Sequence, residues 1–423
     1  MFKAIDEEQA CDVIVSGGGL NGLTLAIALA DAGMTVTVID RLDPAVAVAA
    51  PFDGRGTAIA RGSQQMMAAI GLWSHAEAAA CPIREIRVSD GALGRPASSL
   101  FLHYDCAELG EPEGDRPLGY IVENQALRIA LYARAEELPS LTLIAPAEIA
   151  EAERGAAGVF VSLSDGQRLR APLLVAAEGR NSSLREAAGI GVTTWDYPQS
   201  GLVATLHHSL PHENVAHEHF LPSGPFAVLP MTDASDGTPR SSLVWTERRD
   251  LAAAMMEVSP ERFAAEVQRR FGDSLGEITL AGQRWCYPLS LLHAERYIDR
   301  RLALIGDAAH VIHPIAGQGL NLGLRDIAAL AEALVDARRL GLDIGGPTPL
   351  ARYERWRRSD TMTLIVVTDG LNRLFSNDLP PLRLARDLGL AAVDRVPPLK
   401  RLFMRHAMGL VGDLPRLLTG AKL

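Results

Sequence analysis

DVIVSGGGLNGLTLAIALADAGMTVTVID, residues 12–40, decides the fold. Val13-Ile14-Val15 is a short apolar strand running into a glycine cluster. Leu20 to Ala32 is rich in Leu and Ala with the spacing of a buried helix, and Gly33 stops it. Thr35-Val36-Thr37-Val38-Ile39 is a β-branched run, hence a second parallel strand. The turn between the first strand and the helix fits G-x-G-x-x-G: Gly17, Gly19 and Gly22 permit a tight turn and a close approach of backbone to a pyrophosphate, while the helix N-terminus offers free N–H groups and a favourable dipole. Asp40 closes the second strand, where a carboxylate accepts hydrogen bonds from a ribose diol; Arg41 beside it is taken as a further cofactor contact. The fingerprint predicts a bound dinucleotide and does not separate FAD from NAD.

Working outward, the 423 residues suit two or three domains, and 48% hydrophobic with 22% charged residues suits a large core. A formal charge of −10 argues against general nucleic-acid binding. The four cysteines are scattered without a C-x-x-C pair, so neither a disulfide framework nor a metal site is expected. The N-terminus lacks the apolar core of a secretory signal, and no run of about 20 uninterrupted apolar residues occurs, so the expected location is cytoplasmic, with peripheral attachment to the inner face of a membrane left open. Helical patterns cover Ser63–Ile70, Asn124–Glu137, 317–339 and much of the chain after 350. Alternating segments at 85–105 and 195–285 read as an antiparallel sheet. The expected organisation is therefore α/β: a discontinuous Rossmann-like domain (1–80, 115–185 and 286–350), an inserted, mostly antiparallel β-sheet substrate domain (81–114 and 186–285) and a C-terminal helical region (351–423).

Two distant segments choose the nucleotide. Ile305-Gly306-Asp307-Ala308-Ala309-His310 is followed by Pro314 and then by Gly317-Gln318-Gly319-Leu320-Asn321. An apolar strand ends in Gly-Asp, turns, and enters a glycine-opened helix. Asp307 is placed to bind a sugar-alcohol hydroxyl, and the 317–321 backbone to donate N–H groups to the electron-rich edge of a ring. A flavin with a ribityl chain needs this second site; a nicotinamide dinucleotide does not.

GDAAHVIHPIAGQGLNLGLRD resembles the flavin-ribityl motif of the class A flavoprotein monooxygenases, of the para-hydroxybenzoate-hydroxylase-like fold. Glu178-Gly179-Arg180-Asn181-Ser182-Ser183-Leu184-Arg185 resembles that family's Asp-Gly-x-x-Ser-x-x-Arg motif, implicated in FAD and NAD(P)H handling, with Glu178 where the family has Asp. Arg55 resembles the arginine near the flavin, and Val122-Glu123-Asn124 the segment near the adenosine. GRGTAIARGS, HFLPSGPFAVLPM and the tail around RLARDLGLAAVDRVPPLKRLFMRHAMGLVGDLP are similar to the ubiquinone-biosynthesis hydroxylases. The resemblance implies an FAD-dependent aromatic hydroxylase of a polyprenylated phenol or quinone precursor. It would use NAD(P)H as transient co-substrate and O2 through a flavin C4a-hydroperoxide. The alternatives are the same chemistry on a small soluble aromatic substrate and a non-catalytic flavin-binding assembly subunit.

The resemblance places Pro314, Gly317 and Gln318 at the reactive face of the flavin as the candidate catalytic positions. The set expected to hold FAD is Gly17, Gly19, Gly22, Asp40, Arg41, Arg55, Glu123, Glu178, Gly179, Asp307, Pro314, Gly317, Gly319 and Asn321. His219, Tyr197 and Tyr287 are candidates for the base that deprotonates the phenol. Of His310 and His313, one is expected to cap backbone and the other to pack. Residues 381–423 carry eight basic and three acidic side chains, net +5, interleaved with Leu399, Leu402, Phe403, Met404 and Met408. That asymmetry suits either a solvated face or contact with anionic lipid or a partner subunit, a biosynthetic complex or a second copy in a homodimer.

Overall fold

The computed structural model describes residues 9–49, 54–91, 102–110, 116–313, 317–375 and 393–423. Its first layer is a six-stranded sheet in the spatial order Ile298–Asp299, Leu302–Leu304, Leu173–Ala176, Val13–Ser16, Val36–Ile39, Leu141–Ile144. All neighbours are parallel except the Ile298–Asp299 edge. The central strands are buried along their whole length, which is why they read as continuous apolar runs rather than alternating ones. The helix Leu20–Asp31 covers this sheet and packs on the long helix Gln318–Arg339, so both glycine-opened helices belong to one core.

The second layer is an eight-stranded sheet: His310–Val311, Ile278–Ala294, Val192–His208, Arg240–Arg248, Gly224–Met231, Val215–Leu221, Glu85–Asp90, Leu102–Asp105. It is antiparallel except for the parallel pair Val215–Leu221 with Glu85–Asp90. The domain boundary expected between 285 and 286 falls inside the 17-residue strand Ile278–Ala294, which stays in this sheet to its end. Its residue Pro288 sits opposite Ser200, beside a register shift between Asp196 and Ser200, where the missing N–H is tolerated. A four-stranded sheet (Gln9–Ala10, Arg168–Ala171, Gly158–Leu163, Ile149–Gly155) and a three-stranded one (Gly56–Ala60, Gly119–Glu123, Ala80–Ile83) complete the strands. The C-terminal region contributes the helices Pro347–Phe375 and Pro397–Ala407; the intervening 376–392, part of the tail expected to be helical, lies outside the described residues.

Candidate active site

A cleft of about 720 Å3 opens where the six-stranded sheet ends. Gly17 (φ +104) and Gly19 line its floor, and Gly22 closes the turn from beneath: a methyl group there would lie 1.8 Å from the Gly17 carbonyl oxygen. Nothing lies within 4 Å of the place a side chain would take at Gly19, so that position faces open cleft. Asp40 also lines the cleft, and its carboxylate accepts hydrogen bonds from the N–H groups of Gly18 and Leu42 (2.6 Å to Leu42), so it shapes the glycine turn as well as facing the ligand. Arg41 stands at the rim, 3.8 Å from Glu148.

Glu178 and Gly179 line the same cleft. The Glu178 carboxylate accepts from the hydroxyls of Ser16 (3.1 Å), Ser182 (2.5 Å) and Ser183 (3.1 Å) and from the Leu184 N–H (3.2 Å). The extra methylene relative to aspartate is thus spent on tying a sheet strand to the first turn of the helix Ser183–Ala187. Arg185, from the same motif, is buried and donates to the carbonyls of Arg180 (2.8 Å) and Ala308 (3.2 Å), joining this loop to the Gly306 turn.

Asp307 opens onto the cleft while protein crowds it from below; that burial pushes its carboxyl up, opposed by His310, Arg180 and Arg55. The turn carrying it is held by Asp326, one helical element away. Asp326 accepts from the Gly306 N–H (3.0 Å), His310 Nε2 (2.6 Å) and Arg357 Nε (2.8 Å). Burial alone would raise the Asp326 carboxyl, but His310 and Arg357 outweigh it and hold it below the usual carboxylate range. Arg357 also pairs with Asp360, which accepts from Arg325 (3.1 Å). His310 therefore binds a carboxylate rather than capping backbone, whereas His313 packs its ring edge-on to Tyr197 at 5.1 Å. Among the described residues, no three His, Cys, Asp or Glu side chains gather as a metal site would require.

A second cavity, of about 430 Å3, meets the first at Arg55, Thr57, Asn124, Ile312, Gly319 and Leu320. Gly317, Gln318 and Asn321 line it; Gly317 has φ +61 and starts the long helix, and Gly319 has no atom within 4 Å on its open side. Asn321 bridges backbone, donating to the Ala58 carbonyl (2.7 Å) and accepting from the Ala60 N–H (2.9 Å), so its amide pins the strand Gly56–Ala60 to the helix start. The rest of the wall is largely aliphatic, drawn from the cavity face of the eight-stranded sheet, and Met404, Ala407 and Met408 of the C-terminal helix close one side.

The sequence matches the FAD-binding domain family over residues 10–364. The chain belongs to the class A flavin monooxygenases. A ubiquinone hydroxylase, UbiL, of Rhodospirillum rubrum is 51% identical over 419 residues, covering 98% of this chain and 94% of that one. The 3-demethoxyubiquinol 3-hydroxylase of Escherichia coli K12 is 36% identical over 406 residues, covering 95% and 99%. The crystal structure of p-nitrophenol 4-monooxygenase PnpA from Pseudomonas putida shares the fold, with a TM-score of 0.79 at 20% identity over 96% of this chain and 100% of that one.

As a class A flavin monooxygenase the chain is an enzyme that binds FAD and uses NAD(P)H as co-substrate. Its residues fit the cofactor: the glycine turn would take the pyrophosphate, Asp40 and Asp307 line the same cleft and would meet its hydroxyls, and the Gly317–Gly319 backbone lies where the two cavities join. Of the residues expected to hold FAD, Glu123 is placed elsewhere: it pairs with Arg240 at 3.0 Å, and its neighbour Asn124 lines both cavities. Pro314 lies outside the described residues. Of the three candidate bases, Tyr287 lines the substrate-side cavity under Arg55, whose guanidinium lies 5.8 Å from its ring. Tyr197 instead donates to Asp369 (3.1 Å), and His219 packs on the far face of the sheet against Phe271. Sequence reading missed Asp326, which holds the Gly306 turn, and Glu218 in the cavity wall; Asn124 was named only as part of the segment near the adenosine.

Proposed function

We propose that this enzyme hydroxylates the aromatic ring of a polyprenylated phenol in ubiquinone biosynthesis. The observation that carries the reading is the second cavity: an aliphatic chamber continuous with the FAD cleft, with Arg55 as the one cation among its described lining residues. A small aromatic acid calls for a cation dedicated to its carboxylate, whereas a prenyl chain calls for Ile, Val, Leu and Met walls. The named relatives support the same substrate class. Bound FAD, once reduced, supplies activated oxygen to the ring; the chain's own task is to orient the phenol against it, exclude water and hold the cleft rigid.

Among the described residues no helix is long and apolar enough to cross a membrane. The helix Pro397–Ala407 has two different faces. Met404 packs inward with Leu102, Tyr104 and Leu118, and the buried Lys400 pairs with Glu108 (2.8 Å) and Asp394 (3.0 Å). Outward it shows Leu399, Leu402 and Phe403, preceded by Val396 and flanked by Arg395, Arg401 and Arg405, all exposed. An apolar ridge between cations on a protein of net charge −10 suits an anionic lipid surface, where a prenyl tail also resides.

The test of the activity is complementation of bacterial strains that each lack one ubiquinone-ring hydroxylation, with quinone intermediates identified by mass spectrometry. Restoration of quinone in at least one strain is expected. Failure in all of them, together with NAD(P)H oxidation coupled to hydroxylation of a soluble phenol by the purified flavoprotein, would transfer the activity to a small aromatic substrate.

A further inference from the structure

Asn21 lies in the first turn of the helix Leu20–Asp31, inside the glycine fingerprint, and lines the FAD cleft. Its carboxamide is wedged against two segments distant in sequence. A methyl group at Gly306 would lie 2.2 Å from its Nδ2, and one at Gly323 would lie 2.5 Å from its Oδ1. Gly306 has φ +58, which favours glycine by itself. Gly323 sits inside the long helix Gln318–Arg339 without a positive φ, where glycine weakens a helix, so the approach of Asn21 is what its missing side chain admits. The glycine turn, the turn carrying Asp307 and the long helix thus meet at one amide. Packing alone does not call for an amide there. Oδ1 is buried with no hydrogen-bond partner, and Nδ2 bonds to none of the described residues either. Only Oδ1 is sealed in; Nδ2, on the Gly306 side, keeps access to the cleft. Valine would fill a similar space with no polar atom to leave unsatisfied.

We propose that Asn21 is an FAD-binding residue whose Nδ2–H donates to an anionic oxygen of the cofactor's diphosphate. The glycines of the fingerprint serve the diphosphate through backbone N–H groups and the absence of side chains; here one side chain joins them. An amide NH2 group only donates and a diphosphate oxygen only accepts, so the two are complementary, and a hydrogen bond to a charged acceptor is stronger than one between neutral groups. The same amide touches Gly306 and Gly323, so the hydrogen bond that holds it also holds the Asp307 turn and the start of the long helix against the glycine turn. Asn21 is thereby a joint as well as a contact: it transmits cofactor loading to the segments that carry Asp307 and Gly317. The assignment concerns the cofactor alone and does not depend on which phenol is hydroxylated.

The test uses the full chain stripped of flavin and titrated with FAD, binding being read as quenching of flavin fluorescence and stability as the thermal midpoint with and without FAD. Titrations are run well below the midpoint of the flavin-free protein, so binding and folding are read separately. Asn21→Val keeps a branched side chain against Gly306 and Gly323 and removes both polar ends. The flavin-free midpoint should stay the same or rise, because a buried oxygen without a partner is lost, while the Kd for FAD should rise about tenfold or more. The stabilisation conferred by a fixed excess of FAD should shrink accordingly. A Kd within about twofold of wild type, or a drop in midpoint that is the same with and without FAD, would leave Asn21 a packing wedge and overturn the proposal. Asn21→Asp keeps the shape and exchanges the donor for a negative charge. Facing an anionic oxygen it should bind FAD at least tenfold more weakly than the valine variant, about 100-fold more weakly than wild type. Facing a hydroxyl it would accept instead and bind more tightly than the valine variant, which overturns the assignment to the diphosphate. If the valine variant does not fold, the aspartate variant decides against wild type: affinity within about twofold of wild type overturns the proposal.

Discussion

Asp326 reaches the flavin cleft only through other groups, yet three donors from two segments converge on its two oxygens: a backbone N–H of the Gly306 turn and the His310 ring from one, and the Arg357 guanidinium from the other. It is fully buried, and so is nearly all of Arg357. In such surroundings the net worth of the pair is small, but removing one charge strands the other. Asp326→Asn keeps the shape and removes the charge. It should cost about 3–5 kcal/mol in urea unfolding followed by tryptophan fluorescence. Because the Gly306 N–H loses its strongest acceptor, the turn carrying Asp307 loosens and FAD release should accelerate at least tenfold, measured as recovery of flavin fluorescence on dilution. Unchanged stability with unchanged flavin retention would show that the cluster is dispensable to the turn. Glu178 gives the complementary case. Where the family has aspartate, the longer Glu178 side chain is engaged by four hydrogen bonds at the edge of the cleft.

The C-terminal helix Pro397–Ala407 has two faces, lining the second cavity with Met404 on one and presenting Leu402 and Phe403 to solvent on the other. Because the faces are separate, they can be tested separately. Leu402→Glu with Phe403→Glu places two charges on the outer ridge and leaves Lys400 and Met404 in place. The pair should abolish co-sedimentation with vesicles containing anionic lipid while turnover of a short-chain phenol stays within about twofold, since exposed substitutions rarely disturb the fold. Wild-type protein that stays in the supernatant at low salt would remove the membrane reading. Elements like this helix, or the two glycine-opened ones, were legible in sequence because their signals are local: a glycine before the first turn, an apolar period within it, a proline at the start. The four-stranded sheet was not, because the 149–171 segment depends on a distant partner, Gln9–Ala10, and buries little of its outer strand. The reading ended the antiparallel sheet at 285, whereas the strand Ile278–Ala294 runs on through Pro288, which is tolerated beside the register shift between Asp196 and Ser200. Glu218 was overlooked for a related reason: the run of alternating residues around it announces two faces, but which face meets a cavity is decided by layers packed on it from elsewhere in the chain. Asp326 did carry a signal, an Arg-Asp pair followed by the apolar run Ile327 to Ala331, with partners about 20 residues before it and about 30 after it.

At the scale of the whole molecule, the flavin-binding segment is also the seam between the two large sheets: His310–Val311 leaves the core of one and pairs with the edge of the other, with His293 opposite His310. Besides His310, which is bonded to Asp326, two more imidazoles are buried along this seam. His313 has no solvent exposure and neither ring nitrogen has a hydrogen-bond partner among the described residues; the Nε2 of His293 is likewise without one. Burial pulls each ring down from the ordinary 6.5 to about 4. Between those two values the unfolded chain binds more protons than the folded one, so stability is full above pH 6.5 and is lost as the pH falls toward 4. For His313 the loss between pH 7 and pH 5 amounts to about 2 kcal/mol. The carboxylates held low by arginine, such as Asp336 and Asp343, do not contribute in that window, because their stabilisation is lost only below the ordinary carboxylate value of 3.8. Acid should therefore open the seam while the surface ion pairs are still intact, and the flavin should leave with it. Urea unfolding at a series of pH values checks the size of the slope, and His313→Phe, which keeps a ring against Tyr197 and cannot be protonated, should flatten it by about 2 kcal/mol between pH 7 and pH 5. If the variant keeps the wild-type slope, the acid sensitivity originates in other groups and the seam is not where protonation acts.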